Sequence, residues 1–186
     1  MSLEINRIRI DVAGSLTNDL TEDGEAGGAV SLGIEYAFLQ AFTDGDSANE
    51  ADAYWASRGR TLASGANESI DLYDFGTLDI GAGAGLDPVG QAITLAGVVG
   101  FIIHNKSDSV GTLTVGAEGS AAAWNSPFAG ADDEAGLVVP PGSIRAFADP
   151  ITALAVADSS NHLLKIAASG GAVEYDIIII GRRTSA

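Results

Sequence analysis

The chain contains no cysteine, so disulfides and thiolate metal sites are closed to it. Aromatic residues make up only 6% of its 186 positions, so a core must be built mainly from aliphatic side chains. Basic residues are scarce: nine Lys and Arg stand against 25 Asp and Glu, and 9 − 25 gives a formal charge of −16. A field of that sign repels phosphate backbones, and nucleic acid is not an expected partner. Long apolar runs are missing as well. The most apolar stretch, AITLAGVVGFII at 92–103, is too short for a membrane helix; it reads as a core strand pair or one long strand, and no membrane partner is expected. The opening MSLEINRIRIDVAG alternates and lacks the apolar core of a signal peptide, which makes synthesis in the cytoplasm the expectation.

What is present is small, apolar and turn-rich: 46% hydrophobic residues and 24 glycines. A chain of this length can bury roughly 70% of its unfolded surface, enough for a core without staples. From Arg60 onward, short apolar or alternating runs such as ESIDLYDF, GTLTVGA, SIRAFAD, HLLKIAAS and AVEYDIIIIG are separated by Gly, Asn, Asp, Ser and Pro. About ten short strands at roughly 8–12-residue spacing, with no long amphipathic helix among them, predict an all-β fold. The expected architecture is an antiparallel, jelly-roll-like β-sandwich with an extended N-terminal arm and at most one short helix. The four isoleucines of the closing run predict a strand covered on both faces. In GLVVPPGSIRAFADP at 136–150, two prolines exclude a helix and predict strand, sharp corner, strand.

The N-terminal fifth has a different texture. Leu3, Ile5, Ile8 and Ile10 recur near a period of two, which predicts an extended arm, and the polar, glycine-rich residues 14–28 read as loop or flexible linker. The expected division is an arm and linker at 1–28 and a sandwich domain at 29–186, beginning with a strand at 30–42. Ser47-x-x-Glu50 has the spacing of a capping box, which predicts a helix of one or two turns within 48–57. A mean hydropathy of +0.22 in so acidic a protein calls for subunit interfaces lined with small apolar residues.

Candidate sites are few. GAGAGLDPVG at 81–90 fails the dinucleotide spacing, since Leu86 stands where a glycine is needed, and it lacks the Lys-Ser/Thr end of a phosphate loop. Asp44, Asp46 and Glu50 could converge on a hard cation such as calcium, and Asp132 to Glu134 form a second acidic group. The calcium-loop register fails at Ala48, Asn49 and Trp55, and solvated acidic turns are the simpler reading, so no cofactor is expected. His104 and His162 have no metal spacing, and His104 reads as a strand-end hydrogen-bonding residue. No nucleophile elbow or zinc motif occurs, and no catalytic residue is assigned. Trp55 and Trp124, with Tyr36, Tyr54 and Tyr73, could offer a sugar-stacking platform; packing of a few large rings into a core of small side chains is the alternative. Arg182 and Arg183 read as a solvated C-terminal pair. Interface residues are expected at Ile5, Ile8, Ile10, Trp124 and Phe128.

The fragments DAYWASRGRTLASGANESIDLYDFGTLDI, VVGFIIHNKS, GTLTVGAEGS, GLVVPPGSIRAFADP and LLKIAASGGAVEYDIIIIG, spread over 52–181, resemble small virion proteins of tailed bacteriophages. The resemblance carries no catalytic residues. It implies a non-enzymatic β-sandwich subunit that decorates or cements the outer surface of the capsid, assembled in the host cytoplasm. The partners would be the major capsid protein or other virion subunits, with a homo-oligomer, preferably a trimer, as its form. A tail or head-to-tail structural protein and a carbohydrate-binding sandwich module are the alternative expectations.

Overall fold

The computed structural model describes residues 8–19, 29–40, 42–76, 83–86, 90, 92–106, 108–116, 122–124 and 136–184, the first two segments by backbone and register. It is all-β: among the described residues there are eleven strands and no helix. The chain divides into two units, Asn6–Ala41 and a larger one holding Phe42–Ala186.

The smaller unit is a two-stranded antiparallel ribbon of β1 (Ile8–Asp19) and β2 (Ala29–Gln40). Gly14 to Asp19, expected as linker, are strand, because each pairs with a residue of β2; the rest of the expected linker, 20–28, lies outside the described residues. The strand expected to open the sandwich pairs with the arm instead, so the unit boundary falls after Ala41 rather than after residue 28. The register sorts the ribbon by parity. Ile8, Ile10, Val12, Gly14, Leu16 and Asn18 share one parity with Gln40, Phe38, Tyr36, Ile34, Leu32 and Val30, a mainly apolar set; Arg9, Asp11, Ala13, Ser15, Thr17 and Asp19 share the other with Leu39, Ala37, Glu35, Gly33, Ser31 and Ala29. Two strands of opposite direction thus agree on one apolar face.

The larger unit is a β-sandwich. One sheet runs β3 (Ala53–Leu62), β11 (Val173–Arg183), β5 (Leu95–Asn105), β8 (Ile144–Ala148), with β9 (Leu154–Ala155) also on β5. The other runs β4 (Asn67–Asp71), β10 (Leu163–Ser169), β6 (Thr112–Val115), β7 (Leu137–Val139). All the pairings are antiparallel. Alternate residues of β10 (Leu164, Ile166, Ala168) and β6 (Leu113, Val115) face alternate residues of β11 (Val173, Tyr175, Ile177, Ile179) across a common core. Of the four isoleucines, Ile177, Ile179 and Ile180 are buried and Ile178 is half-buried, so the outer face is covered only in part.

From Leu95 onward AITLAGVVGFII is one strand, β5, paired on both sides, which is why it carries no polar alternation until His104. The run at 136–150 takes the chain from one sheet to the other. Ser143 N–H donates to Pro140 O at 3.1 Å with Gly142 at φ 72°, so Pro141 and Gly142 occupy the two central positions of a type II turn. Buried Asn105 anchors the corner: its Nδ2 donates to Val139 O at 2.9 Å and to Gly111 O at 3.0 Å. The short helix expected within 48–57 is absent. Ser47 N–H donates to the Glu50 side chain at 2.9 Å, as a capping box requires, but Asn49 at φ 63° turns the chain away after one turn and Ala53 begins β3. There Ala53 and Trp55 point inward and Tyr54 and Ala56 are half-buried, the two-residue period of a strand.

Candidate functional site

Two polar networks fasten the strands, and both join basic and acidic residues from different parts of the chain. In the first, Arg60 of β3, Glu68 of β4 and Tyr175 of β11 meet across the two sheets. Arg60 Nη2 and the Tyr175 hydroxyl donate to the two oxygens of Glu68; Arg60 Nε lies 3.2 Å from Glu68 Oε1 and from the phenolic oxygen, and Nη1 donates to Ser57 Oγ at 3.4 Å. Tyr175 is fully buried. Burial first, then its hydrogen bond to Glu68, holds the phenol well above its ordinary 10.0, so it is a permanent donor. Burial, the largest single influence, works against the charge on Arg60, but the hydrogen bonds and charge attraction of Glu68 and Tyr175 together outweigh it and leave the guanidinium above its ordinary value. Donors and acceptors here are spent on one another, which is the condition for a polar cluster to tie sheets together.

In the second, Lys106 Nζ lies 2.6 Å from Glu174 Oε1 and 3.5 Å from Asp176 Oδ1. The hydrogen bond to Glu174 raises the Lys106 ammonium above its ordinary value. Ser109 Oγ donates to Glu174 O at 3.1 Å and accepts Glu174 N–H at 2.9 Å, and Gly142 N–H reaches Lys106 O at 3.3 Å. The loop after β5, the start of β11 and the proline corner are thereby joined. Beside them opens a cleft of about 350 Å³ walled by Leu62, Val110, Val173 and Glu174 among others, with Val110 78% exposed. The groove is open and its accessible lining is mainly apolar.

The candidates read from the sequence do not meet. Asp44 and Asp46 are exposed on the turn at 43–50 and Glu50 uses a carboxylate oxygen on Ser47 N–H; among the described residues no group of three or more His, Asp or Glu could hold a metal ion. Asp132 to Glu134 and Phe128 lie outside the described residues, as does Ile5. Of the stretch at 81–90, residues 83–86 form a turn in which Leu86 N–H donates to Gly83 O at 3.2 Å, and Leu86 bridges Ala92; strand follows, where a phosphate loop needs a helix. His104 sits within β5, opposite Asp176 and Ile144. His162 lies 3.8 Å from Asp71 of β4, a neighbour no local motif announces.

The tryptophans are core residues. Trp55 is 1% exposed and stacks on Phe75 at 4.7 Å, and Trp124 is 0% exposed with Nε1 donating to Ala155 O at 2.9 Å. Neither ring is available to a sugar, and Trp124 is corrected from an interface residue to a core one. Ile8 and Ile10 fall on the apolar face of the ribbon by register.

The C-terminal arginines are not a solvated tail. Arg182 is 8% exposed with its guanidinium on main-chain carbonyls, and Arg183 N–H donates to Asp52 Oδ1 at 2.7 Å. Burial raises the Asp52 carboxyl above its ordinary value, opposed by that hydrogen bond. The sequence signal overlooked was position: both arginines continue the final strand and therefore reach into the sheet.

The fold and these networks define an antiparallel β-sandwich with a separate amphipathic ribbon. No family model, curated protein or solved structure matches the chain.

Proposed function

We propose that the protein is a non-enzymatic structural subunit that decorates or cements the outer surface of a phage capsid through homo-oligomeric contacts, a trimer being the preferred form. The observation that carries the assembly role is the β1–β2 ribbon: two 12-residue strands, paired along their whole length, form a unit of their own with one apolar face. A two-stranded ribbon is marginal in water without a surface to cover that face. A neighbouring subunit supplies such a surface when copies are arrayed at short spacing. The fragments at 52–181 that resemble small virion proteins supply the setting, and the charge of −16 suits a surface turned away from packaged nucleic acid.

The test mixes the purified chain with undecorated capsids. Saturable binding and a higher capsid disruption temperature are expected. Capsids that bind no chain and disrupt at an unchanged temperature would remove the capsid role.

A further inference from the structure

We infer that the cleft beside Arg182 binds a small oxyanion, of carboxylate or phosphate type. The buried guanidinium of Arg182 is held by main-chain carbonyls: Nε donates to Glu50 O at 3.1 Å, Nη2 to Pro150 O at 2.6 Å, and Nη1 and Nη2 to Ile151 O at 3.4 and 3.5 Å. Arg60 and Lys106 each hold a carboxylate, yet among the described residues no carboxylate forms an ion pair with Arg182. Among the described residues Arg182 is the buried basic side chain, and a cation taken out of water without a counter-ion is costly. A guanidinium has five N–H groups, and these four contacts leave at least one Nη1 hydrogen unused.

The space for an anion is present. Arg182 stands opposite Gly97 of β5 in the sheet register. A Cβ on Gly97 would come within 3.0 Å of Ala153 Cβ, so the lack of a side chain there keeps the cleft open. Its volume is about 220 Å³, with walls from Ala96, Gly97, Ala153, the hydroxyl-bearing Thr152 and the two arginines, and one acid, Asp46. The positive charge offered to the cleft is that of Arg182; Arg183 is engaged with Asp52. Ala153 is held at φ 60°, a conformation costly for alanine, on the turn whose Pro150 and Ile151 carbonyls receive Arg182. Charge, room and a rigid frame together fit the planar or tetrahedral oxygens that guanidinium groups recognise.

The test is calorimetric titration of the full chain with sodium phosphate and, separately, sodium acetate, at an ionic strength held constant with sodium chloride. One saturable site per chain is expected for at least one of them: phosphate alone assigns a tetrahedral anion, acetate a carboxylate. Because Arg182→Gln strands several carbonyls and can unfold the protein, the deciding variant is Ala96→Glu. Ala96 is exposed on the cleft wall, so the fold should keep its melting temperature while an inserted carboxylate weakens binding about ten-fold or more. No saturable heat with either anion, heat reproduced by sodium chloride alone, or undiminished binding in Ala96→Glu would each overturn the inference.

Discussion

The ribbon and the sandwich are written in the same two-residue alphabet but close their accounts differently. In the sandwich, β11 has a paired strand on either side and buries Tyr175, Ile177 and Ile179 against β6 and β10 of the opposite sheet. In the ribbon, β1 and β2 pair with each other alone among the described residues, and the apolar parity of Ile10 and Phe38 meets no second described sheet of its own unit. Alternation therefore specifies a strand and its faces; whether a face is completed within the chain depends on how many sheets are available.

The largest effect that sharpens this contrast is expected in the sandwich. Ile177→Ala opens a cavity between sheets at a residue with no exposure and should cost about 4 kcal/mol in denaturant unfolding. A cost below about 1 kcal/mol would mean that the core is not shared between the sheets as described.

Next comes the tie between sheets. Glu68→Gln leaves Arg60 half-buried without its anion and should cost about 2 kcal/mol. Its partner has a pH signature. The folded state holds the Tyr175 proton above the ordinary 10.0, so the stability it contributes is complete below about pH 10 and falls as pH rises beyond that. Tyr175→Phe should flatten this alkaline loss, readable as melting temperature against pH, while lowering stability at neutral pH by about 1 kcal/mol.

The smallest effect lies at Asp52. Its carboxyl is raised above 3.8 mainly by burial, so its contribution to stability falls as pH rises from there, and at neutral pH the ionised group works against folding. Asp52→Asn keeps an oxygen for Arg183 N–H and should gain at most about 0.5 kcal/mol once solvent screening is allowed for. A clear loss at neutral pH would show that the charge itself is needed by Arg183.

The all-β class was legible because apolar alternation and turn residues are local signals, and the corner at Pro140 to Gly142 was readable from two residue types alone. The helix expected near Ala48 failed because Ser47 and Glu50 do form their local contact, while the continuation is set by Asn49 and by the pairing of Trp55 with Ile179, 124 positions away. Residues 14–19 looked like linker because Gly, Ser, Thr and Asn dominate there, yet their hydrogen bonds go to β2 and ask little of side-chain propensity. The candidate sites were the least legible part. Arg60 and Glu68 belong to adjacent strands in different sheets, Tyr175 is over a hundred positions from either, and carbonyl acceptors such as those at Arg182 leave no trace in side-chain spacing.

The measurement closest to the central claim is the solution mass of the full chain, wild type against Ile10→Asp, by light scattering over a range of concentrations. Ile10 shares the apolar face of the ribbon with Phe38 and belongs to neither sheet of the sandwich. The account predicts a discrete multiple of 18.8 kDa for the wild type, a trimer by preference, and a shift to the single-chain mass in Ile10→Asp with the sandwich still folded. A wild type that stays at the single-chain mass at every concentration, or an Ile10→Asp variant that keeps the multiple, would contradict it.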